Sequence, residues 1–208
     1  SVCPLPQHNL RNGRLNQTAY SLFLFIRDVA DGDIVGWIDQ RLEHANAGST
    51  RGRSVRMRNA LVEPLSNIHG VSGKVVNMTL ASLLTAAPPS KPLWLEAGAS
   101  MIAIDTLVHS FLHRTGILKR FDALHPYGPA CYQPNGCAEF IERIARCIDA
   151  RETNPGYPNF FPRMVQHAIW RWCAQLELNI CNGNQIDDRD RCGNKGCPLF
   201  NLCDRVAL

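Results

Sequence analysis

Four cysteines gather near the end of the chain, Cys181, Cys192, Cys197 and Cys203, separated by ten, four and five residues. Four thiolates on a short, loop-rich tail can hold a 4Fe–4S iron–sulfur cluster or a tetrahedral zinc, and free reduced thiols are the plain alternative. Lys74 lies in a second stretch of interest, Leu65-Ser-Asn-Ile-His-Gly-Val-Ser-Gly-Lys-Val-Val-Asn-Met-Thr-Leu80. Pro64 suits a helix's first turn, Gly70 and Gly73 allow a tight reversal, and a second amphipathic helix begins near Lys74. Such a hairpin leaves backbone N–H groups exposed where its second helix starts, a site suited to a DNA phosphate. An ordinary solvated lysine at a structural turn is the alternative. Asp105 precedes Thr-Leu-Val-His and makes a good N-cap for a helix that Gly116 ends.

Other candidate ligands read less sharply. His109 and His113 are one helical turn apart, a spacing compatible with metal, but no third ligand is evident. They read as pocket-lining or surface residues. Cys131 and Cys137 flank Tyr-Gln-Pro-Asn-Gly with His125 nearby. A second small metal site is one reading of that segment, and a plain loop is the reading adopted. Cys147 and Cys173 fall among helical apolar positions and read as core.

Helices must position these residues. Val76, Leu80, Leu83 and Leu84 recur at helical spacing, as do Val108, Phe111 and Leu112. Ile141, Ile144 and Ile148 make a third stripe, and Val165, Ile169, Trp172 and Leu176 a fourth. Convincing alternating strands are absent, so the expected class is all-α, with loops over 86–98, 121–137 and 151–162. A composition of 45% hydrophobic and 19% charged residues in a chain of 208 excludes wholesale disorder and permits a substantial core. The longest apolar run, Leu22-Phe23-Leu24-Phe25-Ile26, is too short to span a bilayer. Nine cysteines, an odd and clustered set, resemble metal ligands more than a disulfide framework. With no basic-then-apolar leader in view, the expectation is an intracellular protein. A net charge of +4 is compatible with a polyanionic partner, and the four arginines of Ser49–Arg58 suit either a phosphate-facing or a merely solvated loop.

The segment Ile68-His-Gly-Val-Ser-Gly-Lys74 resembles the helix-hairpin-helix signature of base-excision DNA glycosylases of the endonuclease III type. His69 replaces that signature's proline and Ser72 its second glycine, while Gly70, Val71 and Lys74 stand in register. Ala103-Ile-Asp-Thr-Leu-Val-His-Ser-Phe-Leu-His-Arg-Thr-Gly116 resembles the family's aspartate segment, with Asp105 on its aspartate, Arg114 on its arginine and Leu107 where it has histidine. The tail resembles the end of the family's iron–sulfur loop, whose final interval it shares.

The resemblance spans roughly residues 58 to 205 and implies a divergent member of this DNA-repair family. The implied fold is a helical barrel portion over 20–100 containing the hairpin. Residues 1–19 and 101–208 would form a second helical lobe carrying the cysteine loop 181–203. The implied activity is that of a monomeric DNA N-glycosylase with AP-lyase chemistry, excising a damaged, modified or mismatched base from duplex DNA. Lys74 would be the nucleophile and Asp105 its catalytic partner. His69, Gly70, Val71, Ser72, Gly73 and Arg114 would contact DNA, and the four tail cysteines would hold the cluster, with zinc as alternative. The competing function is a non-catalytic helix-hairpin-helix DNA-binding module with a structural metal site.

Overall fold

The computed structural model describes residues 14–50, 52–181 and 189–208. The described residues form nine α-helices and no strand, an all-α fold. None of these helices is long and apolar enough to cross a membrane. The chain divides into two compact units, Ser1–Met101 and Ile102–Leu208. The expected division placed residues 1–19 with the second lobe. Its first thirteen residues lie outside the described set, and the rest are part of one uninterrupted helix, α1 (Leu15–Asp28), that belongs to the first unit. A boundary at residue 19 would cut that helix's hydrogen-bond ladder.

The first unit continues with α2 (Ile34–Asn46), α3 (Arg53–Ser66), α4 (Gly73–Thr85) and α5 (Pro92–Ala99). Asp33 caps α2 by accepting the Gly36 N–H at 2.9 Å. Trp37, Ile38 and Leu42 of α2 meet Met57, Leu61 and Leu65 of α3, Val76, Leu80 and Leu84 of α4, and Trp94 and Ala97 of α5. Leu83 of the predicted stripe is 51% exposed, because the buried face of α4 runs through Leu80 and Leu84 instead. Helix α5 was expected to be loop. Its Pro92 occupies the first helical turn, where a missing N–H costs nothing. Close packing of α5 on α4 needs Gly98, since a β-carbon there would lie 2.9 Å from Leu84 Cβ.

The arginine-rich stretch is mostly the start of α3. Arg53 pairs with Glu96 at 2.8 Å and donates to Asn46, and Arg56 donates to the carbonyls of Ala45 and Ser49. Those two side chains hold their own unit together.

The second unit comprises α6 (Thr106–Arg114), α7 (Ile117–Arg120), α8 (Cys137–Ala145) and α9 (Pro162–Cys173), with short 3-10 turns at Pro129–Tyr132 and Ala150–Glu152. Its core joins Val108 and Leu112 of α6, Leu118 of α7, Phe140 and Ile141 of α8, and Val165, Ile169 and Cys173 of α9. Two stripes overran their helices. Leu176 lies past the end of α9 and is 97% exposed, and Ile148 lies past α8 and is also exposed. Cys173 is core as expected, whereas Cys147 is exposed.

Candidate functional site

The hairpin forms, although Pro64 lies inside α3 near its end and not in a helix's first turn. Helix α3 unwinds at Asn67, whose N–H reaches the Pro64 carbonyl, and Ile68 drops into the core beside Leu65. Gly70 then takes φ +74°, a left-handed conformation that favours glycine. A β-carbon at this position would also lie 2.5 Å from Thr18 Oγ1. Ser72 is extended, and its hydroxyl accepts the Val75 N–H at 3.4 Å as the N-cap of α4. Lys74 therefore stands in the first turn of α4, where the first N–H groups have no intrahelical acceptor. His69, Gly70 and Ser72 are exposed, and Val71, Gly73 and Lys74 are half-buried.

Asp105 opens the second unit. Its carboxylate accepts the Val108 N–H at 2.9 Å and caps α6. Just before it, the Ile104 N–H donates to the Tyr132 hydroxyl at 2.8 Å. Burial lowers the pKa of the Arg163 guanidinium, and the negative charge of Asp105 opposes that shift. Arg114 departs from expectation. It is 2% exposed, and its backbone carbonyl accepts the Val206 N–H at 2.9 Å. A residue so enclosed presents no surface to DNA, and its place is in the interior of the second unit.

The four tail cysteines are described, although residues 182–188 between them are not. Cys192 is buried and the other three are half-buried. Burial pushes the Cys203 thiol up. The Arg205 N–H, donated to its sulfur at 3.3 Å, opposes this, and the neighbouring Cys181, Cys192 and Cys197 reinforce it. Cys181 is also hydrogen-bonded to Cys173, a contact that, with burial, pushes Cys173 far up.

A tighter convergence lies elsewhere in the second unit, where sequence reasoning placed a plain loop. His109 of α6, His125 of the following loop, Cys131 of the 3-10 turn and Cys137, first residue of α8, point ligand atoms at one another, all within 4.8 Å. His109 Nδ1 is 3.3 Å from Cys137 Sγ and 3.6 Å from Cys131 Sγ, and His125 Nε2 is 3.4 Å from Cys137 Sγ. This group could hold a metal ion. Burial, then the positive forms of His125 and His113, lower the His109 pKa. Burial and the adjacent Cys131 raise that of Cys137. His113 is not part of the group, and its Nδ1 is buried without a hydrogen-bond partner. Among the described residues no three tail thiols converge this closely, so the metal-ready quartet differs from the expected one. The available signal was His109 one turn after Asp105, together with a histidine six residues before the first of two loop cysteines.

Comparison of the chain with protein-family models, curated proteins and solved structures finds no match.

Proposed function

We propose that the protein is a helix-hairpin-helix DNA glycosylase with AP-lyase activity, acting on a damaged, modified or mismatched base in duplex DNA. The observation that carries this reading is the hairpin itself: an apex with Gly70 and Ser72 exposed leads directly into a helix with Lys74 in its first turn. The apex and the first N–H groups of α4 suit a backbone phosphate, which fixes register without reading sequence. A lysine beside that phosphate is suited to the sugar of a flipped nucleotide. In the proposed reaction the Lys74 amine attacks C1′ as the glycosidic bond breaks, and its electron pair leaves with the base. In the proposal Asp105 stabilises the positive charge developing on the sugar, and water takes the proton that the amine gives up. Protonation of O4′ then breaks the C1′–O4′ bond and opens the sugar to a Schiff base, which acidifies the C2′ proton, and loss of that proton expels the 3′ phosphate.

The tail is proposed to hold a 4Fe–4S cluster rather than zinc. One zinc ion requires four sulfurs about 3.8 Å apart, from a Zn–S bond of about 2.3 Å in a tetrahedron. A four-iron cluster spreads its thiolates over four metal atoms and does not need them that close, and among the described residues no three tail thiols group as tightly as the His109 quartet. The Arg205 N–H on Cys203 sulfur is the kind of donor that supports a cluster thiolate. When bound, the cluster would serve to fold and anchor the tail.

Borohydride trapping on lesion-bearing duplexes tests the function. A covalent adduct lost in Lys74→Ala, with base release strongly reduced in Asp105→Asn, is expected. Salt-sensitive duplex binding with no release of any base across a lesion panel would establish the non-catalytic module instead.

A further inference from the structure

From the geometry of His109, His125, Cys131 and Cys137 we infer a structural zinc site, one tetrahedral ion held by two imidazoles and two thiolates, separate from the tail cysteines. Zinc–sulfur and zinc–nitrogen bonds of about 2.3 and 2.0–2.1 Å place neighbouring nitrogen and sulfur ligands of a tetrahedron about 3.6 Å apart. The three nitrogen–sulfur separations, 3.3, 3.4 and 3.6 Å, match that edge. The other pairs, too, are within 4.8 Å, so the four atoms surround a single point rather than forming a line.

The tautomer is already selected. His125 Nδ1 lies 2.7 Å from the Ala123 carbonyl, which can only accept, so that nitrogen carries the proton. Its Nε2 is then left with a bare lone pair facing Cys137 Sγ. This carbonyl contact is the outer-shell bond that orients metal-ligating histidines. The backbone is shaped to the same end. Gly136 lets the chain fold back so closely that a β-carbon there would meet the Ala130 and Cys131 carbonyl oxygens at 2.4 and 2.6 Å. Asn135 beside it takes φ +62°. This reversal returns Cys137 to Cys131.

The donor set identifies the metal. Mixed imidazole and thiolate ligands in a tetrahedron suit zinc, whereas magnesium and calcium require oxygen. A two-iron cluster with the same four residue types would separate them, histidines on one iron and cysteines on the other. Here Cys137 lies against both histidines as well as Cys131, and His109 lies against both cysteines. That interleaving fits one ion. Four protein ligands fill a tetrahedron and leave no position for water or substrate, and Cys131, Cys137 and His109 are buried while His125 is half-buried. The site is therefore structural, clamping α6, the loop and the start of α8.

Zinc content of the full-length chain, X-ray absorption at the zinc edge and thiol mapping by mass spectrometry test the proposal together. The expected result is one zinc per chain with two sulfur and two nitrogen neighbours. Cys131 and Cys137 should resist alkylation until a chelator is added. Zinc should be lost in Cys137→Ser and kept in Cys197→Ser. If Cys137→Ser does not fold, the absorption spectrum and thiol map of the unsubstituted protein decide the matter alone. Zinc with four sulfur neighbours, or zinc-free protein with Cys131 and Cys137 freely alkylated or joined as a disulfide, would overturn it.

Discussion

Replacing Gly70 by alanine perturbs the hairpin in two separable ways. The φ of +74° places an alanine in the left-handed region, at a cost of about 1–2 kcal/mol. The added carbon would also sit 2.5 Å from Thr18 Oγ1. That hydroxyl is a side-chain end and can rotate away, but doing so breaks its 3.2 Å bond to the Arg14 carbonyl, a loss of about 0.5–1 kcal/mol. Gly70→Ala should therefore destabilise by about 1.5–3 kcal/mol in urea unfolding followed by circular dichroism. Thr18→Ala removes the obstacle while leaving the methyl carbon at an ordinary 3.8 Å. In the double variant the steric part should vanish and the backbone part remain, giving a coupling of about 0.5–1 kcal/mol. A Gly70→Ala protein within about 0.3 kcal/mol of its parent, or additive single and double variants, would refute this account of the apex.

Gly136→Ala has an ordinary φ, so its effect comes from the clash with two carbonyl oxygens, which cannot swing aside as a side chain can. Zinc retention should fall sharply on dialysis, measured as metal per chain. Leu61→Ala, at a fully buried position of α3, should cost about 2–5 kcal/mol, whereas Leu83→Ala on the exposed face of α4 should stay within about 0.5 kcal/mol by the same denaturation assay. Asp39 gives a pH test in the first unit. Burial pushes its carboxyl up, but hydrogen bonds from Lys91 and Trp94 and the Lys91 charge outweigh burial and hold it below its usual value. Its stabilisation is present above the unfolded carboxylate pKa of about 3.9 and is lost as pH falls through the lower folded value. Denaturation midpoints of Asp39→Asn should approach those of the parent toward acid pH, and a constant difference down to about pH 2 would disprove the assignment.

Residue periodicity made the class of fold legible because amphipathic stripes report a helix's buried face directly. Val76, Leu80 and Leu84 meant the same thing in sequence and in space. Periodicity does not report where a helix ends, which is why Leu176 and Ile148 were counted into helices that stop at Cys173 and Ala145. It also gives little weight to Pro92, whose ring is welcome in a first turn but was taken as a loop marker. The hairpin was legible because its geometry is local: the left-handed Gly70 and the Ser72 cap lie within five residues of Lys74. The His2Cys2 group was not. Its ligands come from a helix, a loop, a 3-10 turn and the start of another helix, so their spacing follows tertiary packing. Arg114 shows the converse, a cation placed by motif at a DNA surface and found enclosed.

All eight described cysteines belong to the second unit, and three of them, Cys131, Cys137 and Cys173, have no exposed surface. A thiol reagent can reach those sulfurs only when that unit opens. Their labelling rates, divided by the rates of the same thiols in unfolded chain, thus give the fraction of time the unit spends open. Within the described residues the helices α1 to α5 contain no thiol. Thiol reactivity at these three positions thereby becomes a clock for the opening of the second unit.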